Sequence, residues 1–382
     1  MKCKLLDICE YRKGKVNTSN LTLKTYISTE NMLPDKAGIL EANSLPSTAL
    51  VQEYKENDIL ISNIRPYFKK IWQAKYDGGC SNDVLVFQGN LNVDKDFLYY
   101  ILANDDFFAY SMATSKGTKM PRGDKKSIMQ YELQLFDIKT QKRIASILKV
   151  LDKKIELNNA INKNLEHQAE ALFHSLFVEN VNPIWKDGVL SDLGTVVAGG
   201  TPSKTKPEYY SEKGIAWITP KDLSLNKSKF ISHGKIDISE LGFSKSSAIK
   251  MPTGTVLFSS RAPIGYIAIA ANEVTTNQGF KSIVPNENVG TAFMYYLLKF
   301  LLPTIEGMAS GSTFKEISGA GMKSVPVVIP DNETIDKFNA FCTPIFQQQE
   351  VLEAENSRLV DIRDALLLKL MVGELDVSDI EP

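Results

Sequence analysis

A heptad ladder that occurs twice is the strongest constraint in this chain. Ile144, Leu148, Leu151, Ile155, Asn158, Asn162, Leu165, Ala169, Leu172 and Leu176 follow one another at alternating steps of four and three. That spacing is the a/d seam of a coiled coil. Moved on by 194 residues, the same positions hold Phe338, Cys342, Ile345, Gln349, Leu352, Asn356, Leu359, Arg363, Leu366 and Leu370. A lone helix with such a seam is marginal in water, so the second copy is the natural partner of the first. From Ile138 to Val178 basic residues outnumber acidic ones by seven to four, and from Asp331 to Met371 acidic ones lead by eight to four. Opposite charge favours pairing each helix with the other, although each exposed ion pair contributes little. With the helices antiparallel and their ends level, Asn158 falls opposite Asn356. A buried asparagine pair would set the register at some cost in stability; the alternative is a pair left exposed beside a loosened seam. Thr343-Pro344 reads as a capping residue followed by proline at the first helical position. The second long helix is therefore expected to begin there, after a shorter helical turn.

The duplication extends beyond the helices. Ile59-Leu60-Ile61-Ser62-Asn63-Ile64-Arg65-Pro66 is echoed by Val256-Leu257-Phe258-Ser259-Ser260-Arg261-Ala262-Pro263. Ser81-Asn82-Asp83 is echoed by Thr276-Asn277-Gln278, and Phe97 to Leu102 by Phe293 to Leu298, 196 residues later. Runs such as Asp58 to Asn63 and Val84 to Phe87 read as strands, and Phe97 to Phe108 as a short helix. The spacing predicts an α+β chain of two pseudo-symmetric mixed α/β units joined by two long antiparallel coiled-coil helices. Its expected divisions are 1–136, a long helix in 137–182, 183–330, a second long helix in 331–376, and a tail over 377–382. A period this long is no solenoid; two copies imply pseudo-two-fold symmetry.

Composition narrows the function. The chain has 382 residues, 43% hydrophobic and 23% charged, and a net charge of −1. It carries no apolar run of membrane-spanning length, so no membrane is expected. Cys3, Cys9, Cys80 and Cys342 are scattered, without a CxxC pair. That argues against a disulfide framework or a metal site and fits a cytoplasmic protein. Near-neutral charge excludes an indiscriminate nucleic-acid binder but leaves room for basic loops. No GxxxxGK[ST] phosphate loop is present. Asn182-Pro183-Ile184-Trp185 imitates the catalytic loop of a base methyltransferase but lacks its second proline and follows a helix, so it reads as a linker. No catalytic residues and no metal ligands are assigned.

Gly199-Gly200-Thr201-Pro202-Ser203, Tyr209-Tyr210 and Ala216-Trp217-Ile218-Thr219-Pro220-Lys221-Asp222-Leu223 resemble the opening of a target-recognition domain. Such domains occur in the DNA specificity subunits of type I restriction–modification systems. Thr276-Asn277-Gln278-Gly279-Phe280-Lys281 and Gly311-Ser312-Thr313-Phe314-Lys315-Glu316-Ile317 look like its later motifs. Gln141-Lys142-Arg143-Ile144 and Ile362 to Met371 are similar to the family's two conserved helices. Leu368 stands where the family often has proline, Val372 where it often has serine, and the first unit lacks the Gly-Gly-Thr-Pro opening. The resemblance implies a non-catalytic subunit that reads one half of a split site in double-stranded DNA with each recognition domain. It also implies partners, namely methyltransferase (modification) subunits and a translocating nuclease (restriction) subunit. S-adenosylmethionine, ATP and Mg would belong to those partners, with no cofactor in this chain.

DNA contacts need cations and small donors for phosphate, and Arg, Asn, Gln or Lys on loops for base edges. In the first unit the candidates are Arg65, Tyr67, Lys69, Lys70, Lys116, Lys119, Arg122, Lys125 and Lys126. In the second they are Thr201, Ser203, Lys204, Lys206, Lys221, Arg261, Asn277, Gln278, Lys281, Ser312, Thr313 and Lys315. Any one lysine can equally be a solvated surface charge, and Arg65 and Arg261 can equally be fold-supporting ion pairs. Trp217 and Tyr209-Tyr210 are expected in a core, since duplex readout needs no stacking platform. Two other functions fit less well. A stand-alone DNA methyltransferase or nuclease lacks its motifs, and a coiled-coil adaptor without DNA contact has no need of the basic loop at 116–126.

Overall fold

The computed structural model describes residues 2–226, 228–311 and 315–380. The chain divides into two compact units, one of Met1–Ile155 with Arg358–Pro382 and one of Glu156–Ser357. The long helices Ile138–His174 and Asn332–Val372 supply residues to both.

The body of the first unit carries a four-stranded antiparallel sheet in the order Cys9–Tyr11, Val84–Gly89, Ile59–Ser62, Ile71–Gln73. Its strands are apolar on consecutive residues because both faces are covered. Ile59, Ile61, Leu85 and Phe87 face a core shared with Phe97, Leu98 and Ile101. Leu60, Trp72, Val84 and Val86 point to a second core with Tyr54 and Ile27. A second sheet follows the order Lys15–Asn17, Leu50–Tyr54, Gly78–Cys80, Tyr26–Ile27, its last pair parallel. The expected single helix from Phe97 to Phe108 is two, Lys95–Ala103 and Asp105–Ala113. Asn104 divides them: its backbone is extended and its side chain caps the second helix at Asp106 N. Capping chemistry overrides the apolar periodicity there.

The second unit repeats the plan with a five-stranded sheet, ordered Gly194–Ala198, Lys281–Pro285, Val256–Ser260, Ile264–Ala270, Phe230–Ile231. Val256, Phe258, Ile269 and Ile283 pack toward the helix Thr291–Met308, while Leu257, Ala268 and Ala270 face the other core.

In each unit the two long helices run antiparallel. In the first, the Arg363 guanidinium donates to Asp152 at 2.8 Å, while Ile144 and Leu148 share a core with Leu367, Leu370 and Met371. In the second, Asn158 Nδ2 donates to Asn356 Oδ1 at 2.9 Å, Gln349 Nε2 to Asn162 O at 3.1 Å, and the Phe173 and Phe338 rings lie 5.7 Å apart. None of the twenty seam positions is exposed, whereas Val150, Leu157 and Val351 beside them are. Asn158 is fully buried and also donates to Glu355 at 2.8 Å, while its Oδ1 has no hydrogen-bond partner. An orphaned buried acceptor costs stability, so the pair acts as a register mark and not as a source of cohesion.

The expected helix start at Pro344 is overturned. The helix runs unbroken from Asn332 through Pro344, capped by Asp331, whose carboxylate accepts from Thr334 N at 2.8 Å. Pro344 removes one backbone donor, and beside it Thr343 Oγ1 donates to Asn339 O at 2.7 Å. Phe338, Cys342, Ile345 and Phe346, buried on both sides of the proline, hold the helix through it. The first long helix ends in one wider π turn, Ser175–Glu179.

Candidate nucleic-acid interface

In the first unit three loops meet at one end of the sheet. Strand Ile59–Ser62 runs into Arg65, whose backbone is left-handed at φ +51°, as is that of Lys69 at +49°. Such φ values in non-glycine residues cost on the order of 1 kcal/mol each and need surrounding support. For Arg65 the support comes from the basic loop, and for Lys69 from Lys36, whose N–H donates to Lys69 O at 3.0 Å. Arg65 N donates to Pro121 O at 2.8 Å and Gly123 N to Asn63 O at 3.2 Å, while Lys116 and Arg122 exchange two backbone hydrogen bonds of 2.9 Å. Gly123 is closely packed: a Cβ would stand 2.7 Å from Asn63 Oδ1 and 2.8 Å from Ile128 Cδ1, so those side chains would have to shift to admit one. Asp124 caps the helix Lys125–Ile128 and pairs with Lys116. The Lys116 ammonium, with Ser127, holds the Asp124 carboxyl well below its ordinary range.

The candidates of this unit sort by what they touch. Arg122 pairs with Asp83 at 3.2 Å, and Lys69 with Asp105 at 2.7 Å. Lys70 Nζ donates to Thr29 O at 2.6 Å, and burial lowers its pKa. Tyr67, Lys119, Lys125 and Lys126 are exposed, and none of these three lysines forms an ion pair among the described residues. Arg65 is half-buried, and its Nε lacks a hydrogen-bond partner.

The second unit builds the same junction. Strand Val256–Ser260 leads into Arg261, and Ser310 and Glu316 exchange backbone hydrogen bonds of 3.1 and 2.9 Å. Those two residues lie 194 after Lys116 and Arg122. Ile317 N donates to Ser260 O at 3.1 Å, and Ser260 N to Gly279 O at 2.8 Å. Arg261 pairs with Glu316 at 3.3 Å, and Lys281 approaches the same carboxylate at 3.8 Å. Burial lowers the Lys281 pKa, with Glu316 pulling it back. Asn277 shapes its own turn, its Oδ1 accepting from Gly279 N at 2.8 Å.

The Gly199-Gly200-Thr201-Pro202 loop closes this junction. Thr201 Oγ1 accepts from Gln278 N at 3.4 Å, and Gly200 N donates to Thr276 O at 2.9 Å. A Cβ on Gly199 would fall 1.9 Å from Asn277 O, and one on Gly200 2.3 Å from Ala248 N, so the backbone approach demands glycine. The indole of Trp217 is buried and donates to Gly200 O at 3.0 Å, and Tyr210 OH donates to Pro202 O at 2.8 Å. Both aromatics brace the loop from beneath. Ser203, Lys204, Lys206, Lys221, Gln278 and Lys315 are exposed, and Lys206 pairs with Glu208 at 3.7 Å. Ser312 and Thr313 lie outside the described residues.

The acidic partners Asp83, Asp105, Asp124 and Glu316 were not singled out from sequence. Glu316 alone left a signal there, as the acidic residue at the repeat position of Arg122. Among the described residues no group of three His, Cys, Asp or Glu side chains could hold a metal ion, and no helix is long and apolar enough to cross a membrane.

The description of one family, the type I restriction modification DNA specificity domain, matches residues 1–167 and again 184–354. The chain belongs to this family. Among specificity-domain relatives, the type I restriction enzyme HindI specificity subunit of Haemophilus influenzae is 26% identical, over 92% of this chain and 94% of that protein. The type I restriction enzyme MjaIX specificity subunit of Methanocaldococcus jannaschii is 38% identical over 170 residues, 44% of this chain and 39% of that protein. The fold is similar to the crystal structure of a type I restriction–modification system S subunit from M. genitalium. That match has a TM-score of 0.60 at 18% identity, covering 97% of this chain and 96% of that one.

Proposed function

We propose that this specificity-family chain is the non-catalytic, sequence-specific DNA-binding subunit of a type I restriction–modification complex. Each unit's loop junction reads one half of a bipartite site, and the helix pair spaces the halves. The observation that carries this reading is the repeated junction itself. Arg65 and Arg261 leave equivalent strands, and each is backed by a bridged loop, Lys116 to Arg122 in one unit and Ser310 to Glu316 in the other. Two like readers in one chain match a two-part site, and cations gathered on the junction loops are compatible with a protein of net charge −1. Modification subunits dock on the chain, a restriction subunit joins them, and S-adenosylmethionine, ATP and Mg are theirs. The complex works in the cytoplasm.

Genome-wide mapping of methylated positions, in cells that carry the modification subunits with and without this chain, tests the reading. The expected result is a bipartite motif with an unspecified gap that vanishes without the chain. Methylation that persists without it, or a single uninterrupted motif, overturns the proposal.

A further inference from the structure

A buried polar node in the second unit lies away from the loop junction. Lys229 precedes the edge strand Phe230–Ile231, its carbonyl accepting from Ile269 N at 2.7 Å, so it belongs to the sheet. Its ammonium lies 4.2 Å from the centre of the Phe346 ring, donates to Gln349 Oε1 at 2.6 Å and pairs with Glu166. Glu353, on the second long helix, accepts from Lys229 N at 2.9 Å and from Phe230 N at 3.1 Å. Glu166, on the first long helix, also accepts from Tyr296 OH at 2.9 Å and Lys299 at 2.7 Å, both on the body helix Thr291–Met308. One cluster thus joins the sheet edge, the body helix and both long helices.

Cohesion alone does not call for this arrangement. Buried ion pairs are often replaceable by apolar side chains without loss of stability, and their best-attested use is to fix register. The neighbouring contact, built on Phe173, Phe177, Phe293 and Phe338, already supplies apolar burial. Apolar contacts are non-directional, whereas two N–H groups on one carboxylate and a caged ammonium between two helices allow one orientation.

We infer that Lys229, with Glu166 and Glu353, is a positioning latch that sets the angle at which the second recognition body leaves the helix pair, and so the gap tolerated between half-sites. The inference rests on the bipartite reading above. In the first unit Tyr100, 196 residues before Tyr296, likewise donates to a carboxylate of the first long helix, Asp152, at 2.7 Å.

The test uses full-length Lys229→Met and Glu353→Gln chains, each with the modification subunits, and maps methylated sites. Methionine fills an aromatic cage well, and thermal unfolding checks each variant's fold. Unchanged half-sites are expected, with sites one base pair longer or shorter in the gap rising about ten-fold, the effect of about 1.4 kcal/mol of lost restraint. A gap distribution as narrow as that of the parent chain in folded variants overturns the latch, as does an altered half-site. Should Lys229→Met fail to fold, Glu353→Gln decides, because it leaves the ammonium cage whole. A parent chain that yields no bipartite motif fails the functional reading itself and takes the latch with it.

Discussion

Arg65 and Arg261 stand at equivalent turns but meet opposite surroundings. Arg261 is balanced by Glu316, while the equivalent loop position in the first unit is held by another cation, Arg122, which bridges Ile64 and which Asp83 neutralises. The Arg261–Glu316 pair is more than a third exposed on both sides, so its contribution to stability is small. Arg261→Ala should therefore leave the unfolding midpoint close to that of the parent while weakening duplex binding by about 1–3 kcal/mol and relaxing one base position. Binding of the assembled complex to a panel of duplexes at two salt concentrations checks this. An equal loss on every sequence with a shallower salt slope would mean a phosphate contact, and an unfolded variant would mean a structural ion pair. Glu166 gives a pH prediction. Burial raises its pKa, but the charges and hydrogen bonds of Lys229 and Lys299 outweigh that and hold it at about 2. A depressed carboxylate stabilises the fold above its ordinary value of 4.5, and that stability is lost as pH falls through 4.5 toward 2. Glu353 opposes it, its pKa raised by burial against its two backbone donors. The net contribution is at most about 3 kcal/mol, and Glu166→Gln should flatten the acid limb of stability against pH. Acid titrations of both chains by circular dichroism would reveal an unchanged limb if the node were irrelevant.

At the scale of elements, the long helices combine a seam with anchors. Gln141 is buried at the start of the first and accepts from Asp94 N at 2.9 Å, while Asn339 near the start of the second accepts from Phe293 N at 3.1 Å. Each amide fastens its helix to the body helix of its own unit. The latch and the Gln349–Asn162 bond determine where the rod can be lengthened. An added heptad belongs between Ile155 and Asn158 in the first helix and between Asn356 and Leu359 in the second, where the seam phase is kept and those contacts are spared. Seven residues add about 10 Å, or about three base pairs at about 3.4 Å each. The half-sites should stay the same and the gap should grow, with reduced affinity because the readers also rotate around the duplex. Methylation mapping decides; an unchanged gap would mean that spacing is set elsewhere. A two-residue insertion should instead cost folding, since it turns every later seam residue off the interface.

At the scale of the whole molecule, the duplication is the organising fact. Each unit has its own sheet, its own two-faced core and its own loop junction, so each should fold and read DNA by itself. Replacing residues 183–330 with the corresponding unit of a specificity-family relative should change one half of the recognised site and leave the other intact. Mapping the methylated motif of the chimera tests this, and a change in both halves would refute modular reading. The exchange retains the long-helix side of the latch but replaces Lys229, so the gap is expected to broaden unless the donor has a cation there.

Periodicity determined the two long helices; opposite net charge pointed to their pairing, and antiparallel helices with level ends put Asn158 opposite Asn356, which the structure shows in contact. A seam is a local pattern repeated many times, and solvent exclusion leaves it one way to face. The strands read from Asp58 to Asn63 and Val84 to Phe87 were legible for another reason, as short apolar runs bounded by turn residues. The break at Asn104 and the passage of the helix through Pro344 were not. The first turned on a single capping bond and the second on aromatic packing from distant residues, and both override local propensity. The candidate site divides similarly. Clustered cations on glycine-broken loops are visible in sequence, but their acidic partners come from other loops. The Lys229 node was invisible, because its sheet edge, body helix and long helices lie as much as 187 residues apart, as Asn162 and Gln349 do. Only folding brings those charges close enough, and dry enough, to choose one another.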